Sequence, residues 1–433
     1  MTWPAKRTLS GWMVTAMAAG VLVLAPAQAG ATAESNSHGS TVAAGSQRID
    51  PSELRRLLDQ IVAAGAPGAA ARVRDEHGVT QAASGVADLR SGRPMQPGLN
   101  YRVGSLTKPL VATVVLQLVA EGRLSLQDTV ERWLPGILPY GDQVTIRQLL
   151  NHTGGVPDYE ALVLPQLYES KRGRFRSWTP QELVALVADQ PPDFPPGTAW
   201  SYSNTGYVLA GLIVEAATGR KLGQELARRI FRPLGLRDTF FPVNAAGIPG
   251  PRSRGYSLPL GQQAGPLLDF TVYNPSLAWA AGNLISDLGD LERYFRALLG
   301  GRLLPPRLLA AMTTPVPTGQ PGFGYGLGLL VIDTPLGRLV GHDGAIPGFF
   351  NFVVSTADGR RQLGIMVNVW PAPPAVLEAF DQVFIALVMG LLQGAPLEVA
   401  STSASQRAAV QARESARTPE ALARAGVTVQ AQR

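Results

Sequence analysis

The 433-residue sequence predicts an α/β fold. An antiparallel sheet flanked by helices is built from both ends of the chain, with an all-helical domain inserted between them. Two strand patterns, Gly68–Asp75 and Val79–Ala87, come early and meet at a turn at His77-Gly78. Residues 139–270 are dominated by helical patterns between loops rich in proline, glycine and arginine. Strand patterns return after residue 324, so the most economical sheet joins the first strands to the last.

Two helices are predicted in the first part of the sheet domain. Asp50 or Ser52 is a suitable cap for Pro51–Ala64, whose leucines repeat on one face. A second helix starts at Ser105, because apolar residues repeat at helical spacing and Pro109 falls in the first turn, where a missing N–H costs little. This helix is apolar around most of its surface, which predicts a buried central helix with Ser105 at its N-terminus.

The later elements follow from caps and turns. Threonines and the pair Ser203-Asn204 mark helix starts, while Asp333–Gly337 and Asp358-Gly359 mark turns of an antiparallel meander. The predicted helices are Ile146–Asn151, Gln181–Ala188, Thr205–Ala217, Lys221–Ile230, Asp287–Leu299 and Ala375–Leu392. The predicted strands are Gly324–Ile332, Leu339–His342, Gly348–Thr356 and Gln362–Trp370. The last helix is apolar, but its three polar side chains favour core packing over a membrane span.

Shifts in composition predict the domain boundaries. Lys6 and Arg7, the apolar run Gly11–Ala25 and a cleavage site at Ala27-Gln28-Ala29 or Ala31-Thr32-Ala33 are typical of an export signal, with a retained membrane anchor as the alternative. The predicted regions are a signal peptide at 1–29, a linker at 30–46, an α/β part at 47–138, a helical domain at 139–270, a second α/β part at 271–396 and a disordered tail at 397–433. We expect a secreted or cell-envelope protein with no stable membrane span after processing.

Composition excludes several classes of function. The chain has no cysteine, which excludes disulfides, thiol nucleophiles and cysteine-ligated metals. The net charge is +6, but residues 1–29 and 401–433 carry +2 and +3, so the remainder is near neutral and nucleic-acid binding has little support. No pair among the four histidines, His38, His77, His152 and His342, has metal-ligand spacing. We therefore expect no metal and no cofactor.

Ser105-Leu106-Thr107-Lys108 is the candidate catalytic motif. Residues three apart on a helix share a face, so Ser105 and Lys108 are expected to meet. A serine hydroxyl is a poor nucleophile until a neighbour takes its proton, and a lysine whose pKa is lowered by burial can do so. Lysine is scarce in this arginine-rich chain, and no other serine is followed by a lysine three positions later. This choice indicates a need for a group that loses its proton.

Two further signals bear on catalysis. Tyr202-Ser203-Asn204 precedes a helix, and a tyrosine beside a lysine is expected to ionise more easily and to shuttle a proton. Asn204 offers a donor and an acceptor for an amide or ester, with helix capping as the alternative. His342-Asp343-Gly344 ends a predicted strand, where glycine allows close approach of a substrate. His152 is interpreted as a structural residue of the Asn151–Gly155 turn, with a supporting catalytic role as the alternative.

Together these motifs resemble those of the serine penicillin-recognising superfamily, in the branch of class C β-lactamases, D-alanyl-D-alanine carboxypeptidases and related esterases. The resemblance covers most of residues 50–392. The matched motifs, in order, are Ser105–Lys108, Tyr202–Asn204 and His342–Gly344, the third being Lys or His, a variable residue and Gly. The flanking residues most resemble the actinomycete DD-carboxypeptidase branch; they are Leu149–Gly155, Pro196-Gly197, Tyr202–Tyr207 and Gly326–Gly328.

The resemblance implies a β-lactamase/transpeptidase-like fold and hydrolysis through an acyl-enzyme. Ser105 would attack a carbonyl while Lys108 and Tyr202 manage the proton, and Tyr202 would later help to activate water. The N–H groups of Ser105 and Ala345 would form the oxyanion hole. The residues implied to bind substrate are Asn204, His342, Gly344 and Ala345.

The implied function is an exported D-alanyl-D-alanine carboxypeptidase acting on peptidoglycan stem peptides or small molecules, with β-lactams as acylating inhibitors. In the peptidase branch that this chain resembles, a hydroxyl residue after the third motif and an arginine on the preceding strand help to bind a terminal carboxylate. Here Ala345 follows the motif, and the predicted strand Gly324–Ile332 has no Arg or Lys, so binding of a free carboxylate is expected to be weaker. Asp343 adds negative charge. A related esterase or class C-like β-lactamase is therefore the alternative, and a catalytically silent binding protein is the alternative of a different class.

Overall fold

The structure is a computed structural model that describes residues 49–393. The predicted signal peptide, the linker and the C-terminal tail therefore lie outside the described residues, and the division into sheet and helical domains stays a prediction. The α-helices are α1 (Pro51–Ala63), α2 (Thr107–Ala120), α3 (Val130–Trp133), α4 (Ile146–Leu150), α5 (Glu160–Glu169), α6 (Lys171–Arg174), α7 (Pro180–Ala185), α8 (Asn204–Thr218), α9 (Leu222–Leu226), α10 (Arg232–Leu234), α11 (Trp279–Gly282), α12 (Leu288–Leu299), α13 (Pro306–Thr313) and α14 (Pro374–Gln393).

Short strands accompany the long ones. The strands are β1 (Gly68–Asp75), β2 (Gly78–Asp88), β3 (Arg93–Pro94), β4 (Tyr101–Arg102), β5 (Tyr256–Ser257), β6 (Leu268–Asp269), β7 (Ile285–Ser286), β8 (Val316–Pro317), β9 (Phe323–Tyr325), β10 (Leu330–Thr334), β11 (Gly337–Ile346), β12 (Phe349–Thr356) and β13 (Gln362–Val367). Turns of 3-10 helix occupy Gly104–Leu106 and Pro275–Leu277, and a π-helical turn occupies Ala227–Phe231.

The main sheet joins the two ends of the described chain, as the sequence predicts. Its nine strands run in the order β3-β2-β1-β13-β12-β11-β10-β9-β8. The early strand β1 pairs antiparallel with the late strand β13, where Ala70 is opposite Met366. The antiparallel α/β prediction is therefore confirmed.

Helices cover both faces of this sheet. Phe352 of β12 packs on Phe384 of α14, with ring centroids 4.7 Å apart, and α14 also contacts α1. The next residue, Val353, pairs with Gly364, above which lies Leu288 at the start of α12. Because successive strand residues point to opposite faces, α1 and α14 cover one face and α12 covers the other.

Helix α14 is long and apolar enough to cross a membrane by length and composition alone, and half of it is buried within the fold. Its buried side chains include Val376, Phe380, Val383 and Leu387, and they face α1 and β13. The predicted core packing of this helix is thus observed.

The central helix also matches its prediction. Ser105 lies in the 3-10 turn that leads into α2, whose residues are almost all buried. Helices α8 and α11 pack against it. Thr107 fixes the junction, because its hydroxyl donates to the carbonyl of Gly104 and accepts from the N–H of Leu284. At the other predicted helix start, Asp50 rather than Ser52 caps α1.

Two strand predictions are wrong in detail. The segment Gly324–Ile332 is a hairpin of β9 and β10, because the chain reverses at Gly328, whose φ is +85°. Strand β11 continues to Ile346, so His342 lies within the strand instead of ending it. Pairing with β12 extends the strand through His342-Asp343-Gly344. Helix α5 was not predicted, since Pro165 lies inside it.

Candidate active site

Ser105 and Lys108 meet at the start of the central helix, as their spacing predicts. The Lys108 Nζ lies 3.0 Å from Ser105 Oγ. The Tyr202 hydroxyl donates to the same oxygen across 2.8 Å, although 97 residues separate the two in sequence. Ser105 Oγ is therefore held between an amine and a phenol.

Three oxygens surround Lys108 Nζ. Asn204 Oδ1 lies at 2.8 Å, the carbonyl oxygen of Ala281 at 2.7 Å and Ser105 Oγ at 3.0 Å. The amide and carbonyl oxygens only accept hydrogen bonds, so each takes one N–H. A neutral amine has two N–H bonds and one lone pair. In that state the lone pair points at Ser105 Oγ, where it can accept the hydroxyl proton.

The surroundings of Lys108 favour this neutral state. The side chain is completely buried, and burial lowers its pKa from 10.5 to about 7. Nearby carboxylates, those of Glu160, Asp158 and Asp343, oppose this shift by stabilising the ammonium. The balance places the pKa of Lys108 where a general base is effective at neutral pH.

Tyr202 differs from its prediction. Burial raises the pKa of its phenol well above 10, and the Asp343 carboxylate raises that pKa further. The expectation that a neighbouring lysine makes Tyr202 ionise more easily is therefore wrong, because burial of the phenol and the Asp343 carboxylate both disfavour the phenolate. Tyr202 is a protonated hydroxyl that can relay a proton, while Lys108 Nζ is placed to accept one from Ser105.

Asn204 connects Lys108 to a pair of acids. Ser203 caps helix α8 and Asn204 is the first helical residue, so the capping alternative for Asn204 does not hold. Its Nδ2 donates to Asp158 Oδ2 at 3.0 Å and to Glu160 Oε2 at 3.4 Å, while its Oδ1 accepts from Lys108. Both N–H donors and one of the two oxygen lone pairs of the amide are thus used within the protein. A role in holding the acyl group stays a prediction.

Asp158 and Glu160 were missed by the sequence reasoning. Both are half-buried at the start of α5. Burial raises the pKa of each carboxyl, and Asp158 raises that of Glu160 further, to about 7. Two acids after a glycine-rich turn were a visible signal, but only the packing of α5 near α8 reveals their partner.

Within residues 49–393, no group of three or more His, Asp and Glu is arranged to hold a metal.

His342 turns away from the serine. Its ring is completely buried, with Nε2 2.8 Å from the Tyr325 hydroxyl and Nδ1 2.6 Å from the carbonyl oxygen of Asp343. Because a carbonyl only accepts, Nδ1 carries a proton, and in the neutral ring Nε2 accepts from Tyr325. The ring centroid lies 6.5 Å from that of Tyr202. His342 therefore supports the wall of the site without touching the reacting oxygen.

The predicted oxyanion hole requires the serine turn to lie against β11. Gly104 has a φ of +55°, and a Cβ on it would lie 3.0 Å from the backbone nitrogen of Ala345. A Cβ on Gly344 would lie 1.9 Å from the carbonyl oxygen of Val103. Both close approaches need glycine. They bring the backbone of Ser105 and Ala345 onto adjoining segments, as two N–H donors to one oxyanion would require.

Known proteins resemble this chain in sequence and in fold. A sequence profile of the family described as Beta-lactamase matches residues 54–387. A solved structure of a D-stereospecific amidohydrolase from Streptomyces sp. is 40% identical, covers 76% of this chain and 98% of its own, and has a TM-score of 0.70. Penicillin-binding protein 4* of Bacillus subtilis is 28% identical over 75% of this chain and 71% of its own. Esterase EstB of Burkholderia gladioli is 34% identical over 58% and 72%.

Proposed function

The chain belongs to the β-lactamase family of serine hydrolases, and we propose that it hydrolyses amides and esters of D-amino acids whose α-amino group is free. Ser105 Oγ attacks the carbonyl carbon and its proton passes to Lys108 Nζ. The C–N or C–O bond then breaks as the leaving atom takes a proton from Tyr202, which regains one from Lys108. Water cleaves the acyl-Ser105 ester through the same groups and returns the proton to Ser105.

The charge around Lys108 carries this proposal. The charged groups that act on its pKa are three carboxylates, those of Glu160, Asp158 and Asp343. Opposite charges attract and like charges repel strongly at short range in a partly buried site. Such a site favours a substrate with an ammonium group beside its carbonyl and disfavours one with a free carboxylate.

The comparisons support the same substrate class. The Streptomyces relative is described as a D-stereospecific amidohydrolase, and its similarity extends over three quarters of this chain. An uncharged leaving group, such as ammonia or an alcohol, would also pass the Asp343 carboxylate without repulsion. The similarity to an esterase supports ester cleavage as well.

A D-alanyl-D-alanine carboxypeptidase, the activity that the motifs imply, is the second candidate. The similarity to a penicillin-binding protein and the histidine of the third motif favour it. Its leaving group carries a carboxylate, however, which would approach Asp343, and Ala345 offers no hydroxyl to hold it. We therefore rank it below the amidohydrolase.

A substrate panel on one enzyme preparation tests the ranking. The panel holds D-alaninamide, L-alaninamide, p-nitrophenyl acetate, D-alanyl-D-alanine and a cephalosporin. We expect D-alaninamide to be cleaved with the highest kcat/KM among the amides and its L-enantiomer to be cleaved poorly. Faster cleavage of D-alanyl-D-alanine than of D-alaninamide would instead establish the carboxypeptidase.

The covalent step has its own test. Wild-type protein should be labelled by a fluorescent fluorophosphonate, and by a fluorescent penicillin if β-lactams acylate the site. Ser105→Ala should abolish labelling, whereas Ser91→Ala, at an exposed serine between β2 and β3, should not. Labelling that persists in Ser105→Ala would reject Ser105 as the nucleophile.

Export remains part of the proposal. It rests on the basic start, the apolar run and the small-residue cleavage sites within residues 1–33. Mass analysis of the mature N-terminus is expected to find a start after Ala29 or Ala33. A protein that begins at Met1 would contradict the signal peptide.

A further inference from the structure

His152 has an unusual backbone conformation and is buried. Its φ is +62°, which makes it one of two non-glycine residues within 49–393 with a positive φ. Its side chain is only 2% exposed. A left-handed conformation costs a residue with a Cβ about 1–2 kcal/mol and persists where the surrounding structure requires it. Such an outlier close to a catalytic group is a reason to ask what it positions.

Three contacts tie His152 to the Tyr202 segment. Its carbonyl oxygen accepts from the N–H of Ser201, and its Nδ1 accepts from the N–H of Ser203, each across 3.1 Å. Its ring lies on the Tyr202 ring, with centroids 4.2 Å apart and planes tilted by 35°. His152 therefore holds the residues on both sides of Tyr202 as well as the phenol itself. The positive φ presents the carbonyl and the ring to this one segment.

The ring is held in one protonation state. Because Nδ1 accepts a backbone N–H, the neutral ring carries its proton on Nε2. Burial lowers the pKa of His152 well below 6.5, and Lys108 and His342 lower that pKa further. Nε2 is buried and has no hydrogen-bond partner among the described residues. An unsatisfied buried N–H costs about 1–3 kcal/mol, so the site keeps a histidine at a cost to stability.

We propose that His152 is a positioning residue for Tyr202, which fixes the phenol so that its hydroxyl stays at Ser105 Oγ. The Tyr325 ring supports His152 from another side, with centroids 4.6 Å apart. The rings of His152, Tyr202 and Tyr325 thus pack against one another, and this packing restricts the orientation of the phenol. Proton relay needs this precision, since displacement of a reacting group by about 1 Å can cost 10²-fold in rate. The inference rests on the proposed function only in requiring that Ser105 is acylated.

Two substitutions separate the contacts. His152→Asn keeps an acceptor close to the Nδ1 position and tolerates a positive φ, but it removes the ring. His152→Phe keeps a ring but removes the acceptor. His77→Asn, the same change at an exposed turn residue between β1 and β2, is the matched control.

Pre-steady-state hydrolysis of p-nitrophenyl acetate is the measurement. The burst amplitude counts intact active sites, and the burst rate reports acylation at each site. We expect both His152 variants to keep the wild-type burst amplitude and the wild-type Kd, taken from the concentration dependence of the burst rate, within twofold while the limiting burst rate falls about tenfold or more. His77→Asn should match wild type in rate and amplitude.

A double-mutant comparison shows whether His152 acts through Tyr202. In a Tyr202→Phe background, His152→Asn should cause little further loss, because the hydroxyl that it positions is gone. An equal loss in both backgrounds, or a fall in amplitude at an unchanged rate per site, would overturn the inference and leave His152 a structural residue. If His152→Asn does not fold, the same comparison is made with His152→Phe. A wild-type protein without Ser105 labelling would overturn the proposed function and this inference with it.

Discussion

The active site has two walls of different character. The helical wall, formed by Ser105, Lys108, Tyr202 and Asn204, is joined by hydrogen bonds from one residue to the next. The strand wall, residues 342–345 of β11, uses both nitrogens of its histidine for Tyr325 and Asp343. Lys108 and Tyr202 of the helical wall thus point at the serine oxygen, whereas the strand wall points its histidine into the protein.

From this difference we infer that the helical wall carries out the reaction and that the strand wall selects the substrate. The helical wall holds the proposed base, Lys108, and the proposed proton relay, Tyr202, each within hydrogen-bonding distance of the proposed nucleophile, Ser105. The strand wall contributes the close approach at Gly344 and a negative charge at Asp343. We therefore expect changes in the helical wall to lower every activity together. Changes in the strand wall should alter the ratio between substrates.

The largest effect is expected from Lys108→Met, which removes the base and keeps a side chain of similar length. Acylation of Ser105 should fall by about 10³-fold, within the range usual for general base catalysis, and it should fall for amide and ester alike. Burst kinetics with p-nitrophenyl acetate and steady-state hydrolysis of D-alaninamide measure this. Lys221→Met is the control, because Lys221 is 81% exposed and pairs with Glu215.

If the acylation rate falls less than tenfold in Lys108→Met, Lys108 is not the base. The proposed difference between the helical wall and the strand wall would then be wrong. Near-ultraviolet circular dichroism must match wild type, because the substitution leaves Asn204 Oδ1 and the Ala281 carbonyl without their donor. A changed spectrum would call for Lys108→Gln, which restores one donor without the base.

The helical wall was largely predictable from sequence because its determinants are local. Ser105 and Lys108 are three apart on one helix, and Tyr202-Ser203-Asn204 directly precedes another. Their meeting required only the fold that the strand and helix patterns predict. The acids of this region were not predictable, because Asp158 and Glu160 reach Asn204 through the packing of an unpredicted helix that contains Pro165.

The strand wall was predicted less well because its structure depends on pairing. Glycines at 326 and 328 fit an extended strand in sequence, yet they form the turn between β9 and β10. Strand β11 appeared to stop at His342, and its continuation to Ile346 comes from its register with β12. The pKa of Tyr202 was misjudged for a related reason: the burial of its phenol, which is the larger cause of the raised pKa, and the position of Asp343 on the extended strand both depend on the fold.

Asp343→Ser tests whether the strand wall selects the leaving group of the substrate. D-alanyl-D-alanine and D-alaninamide share an acyl group, but only the first has a carboxylate in its leaving group. Asp343 raises the pKa of Tyr202, and we assign protonation of the leaving group to Tyr202, so the charge of Asp343 is expected on the leaving-group side. Removing it should raise kcat/KM for the dipeptide relative to the amide by about tenfold. Parallel assays at one pH give this ratio.

Asp333→Ser is the control for that substitution. Asp333 lies on the neighbouring strand β10, is exposed and pairs with Arg338, so its loss should leave the ratio unchanged. An unchanged ratio in Asp343→Ser as well would mean that the strand wall does not choose the leaving group. Equal changes of the ratio in the two variants would show that the overall charge of the protein, and not the position of Asp343, determines the preference.

The smallest effect is expected from Glu160→Gln, which changes the pH dependence of the helical wall. Lys108 must be neutral to accept the proton of Ser105, so acylation should rise as pH increases through about 7. The Glu160 carboxylate stabilises the ammonium and raises the pKa of Lys108. Removing that charge lowers the pKa of Lys108, so the acid limb of the profile should move down by about one pH unit or less.

Glutamine still offers an oxygen to Asn204 Nδ2. Because the pKa of Glu160 is itself about 7, its carboxyl is charged mainly at and above that pH. Burst rates measured between pH 5 and 9 should therefore show Glu160→Gln acylating faster than wild type close to the midpoint of the profile, while Glu169→Gln, at the exposed far end of α5, keeps the wild-type midpoint. A midpoint that moves upward would show that Glu160 does not act on Lys108 through its charge.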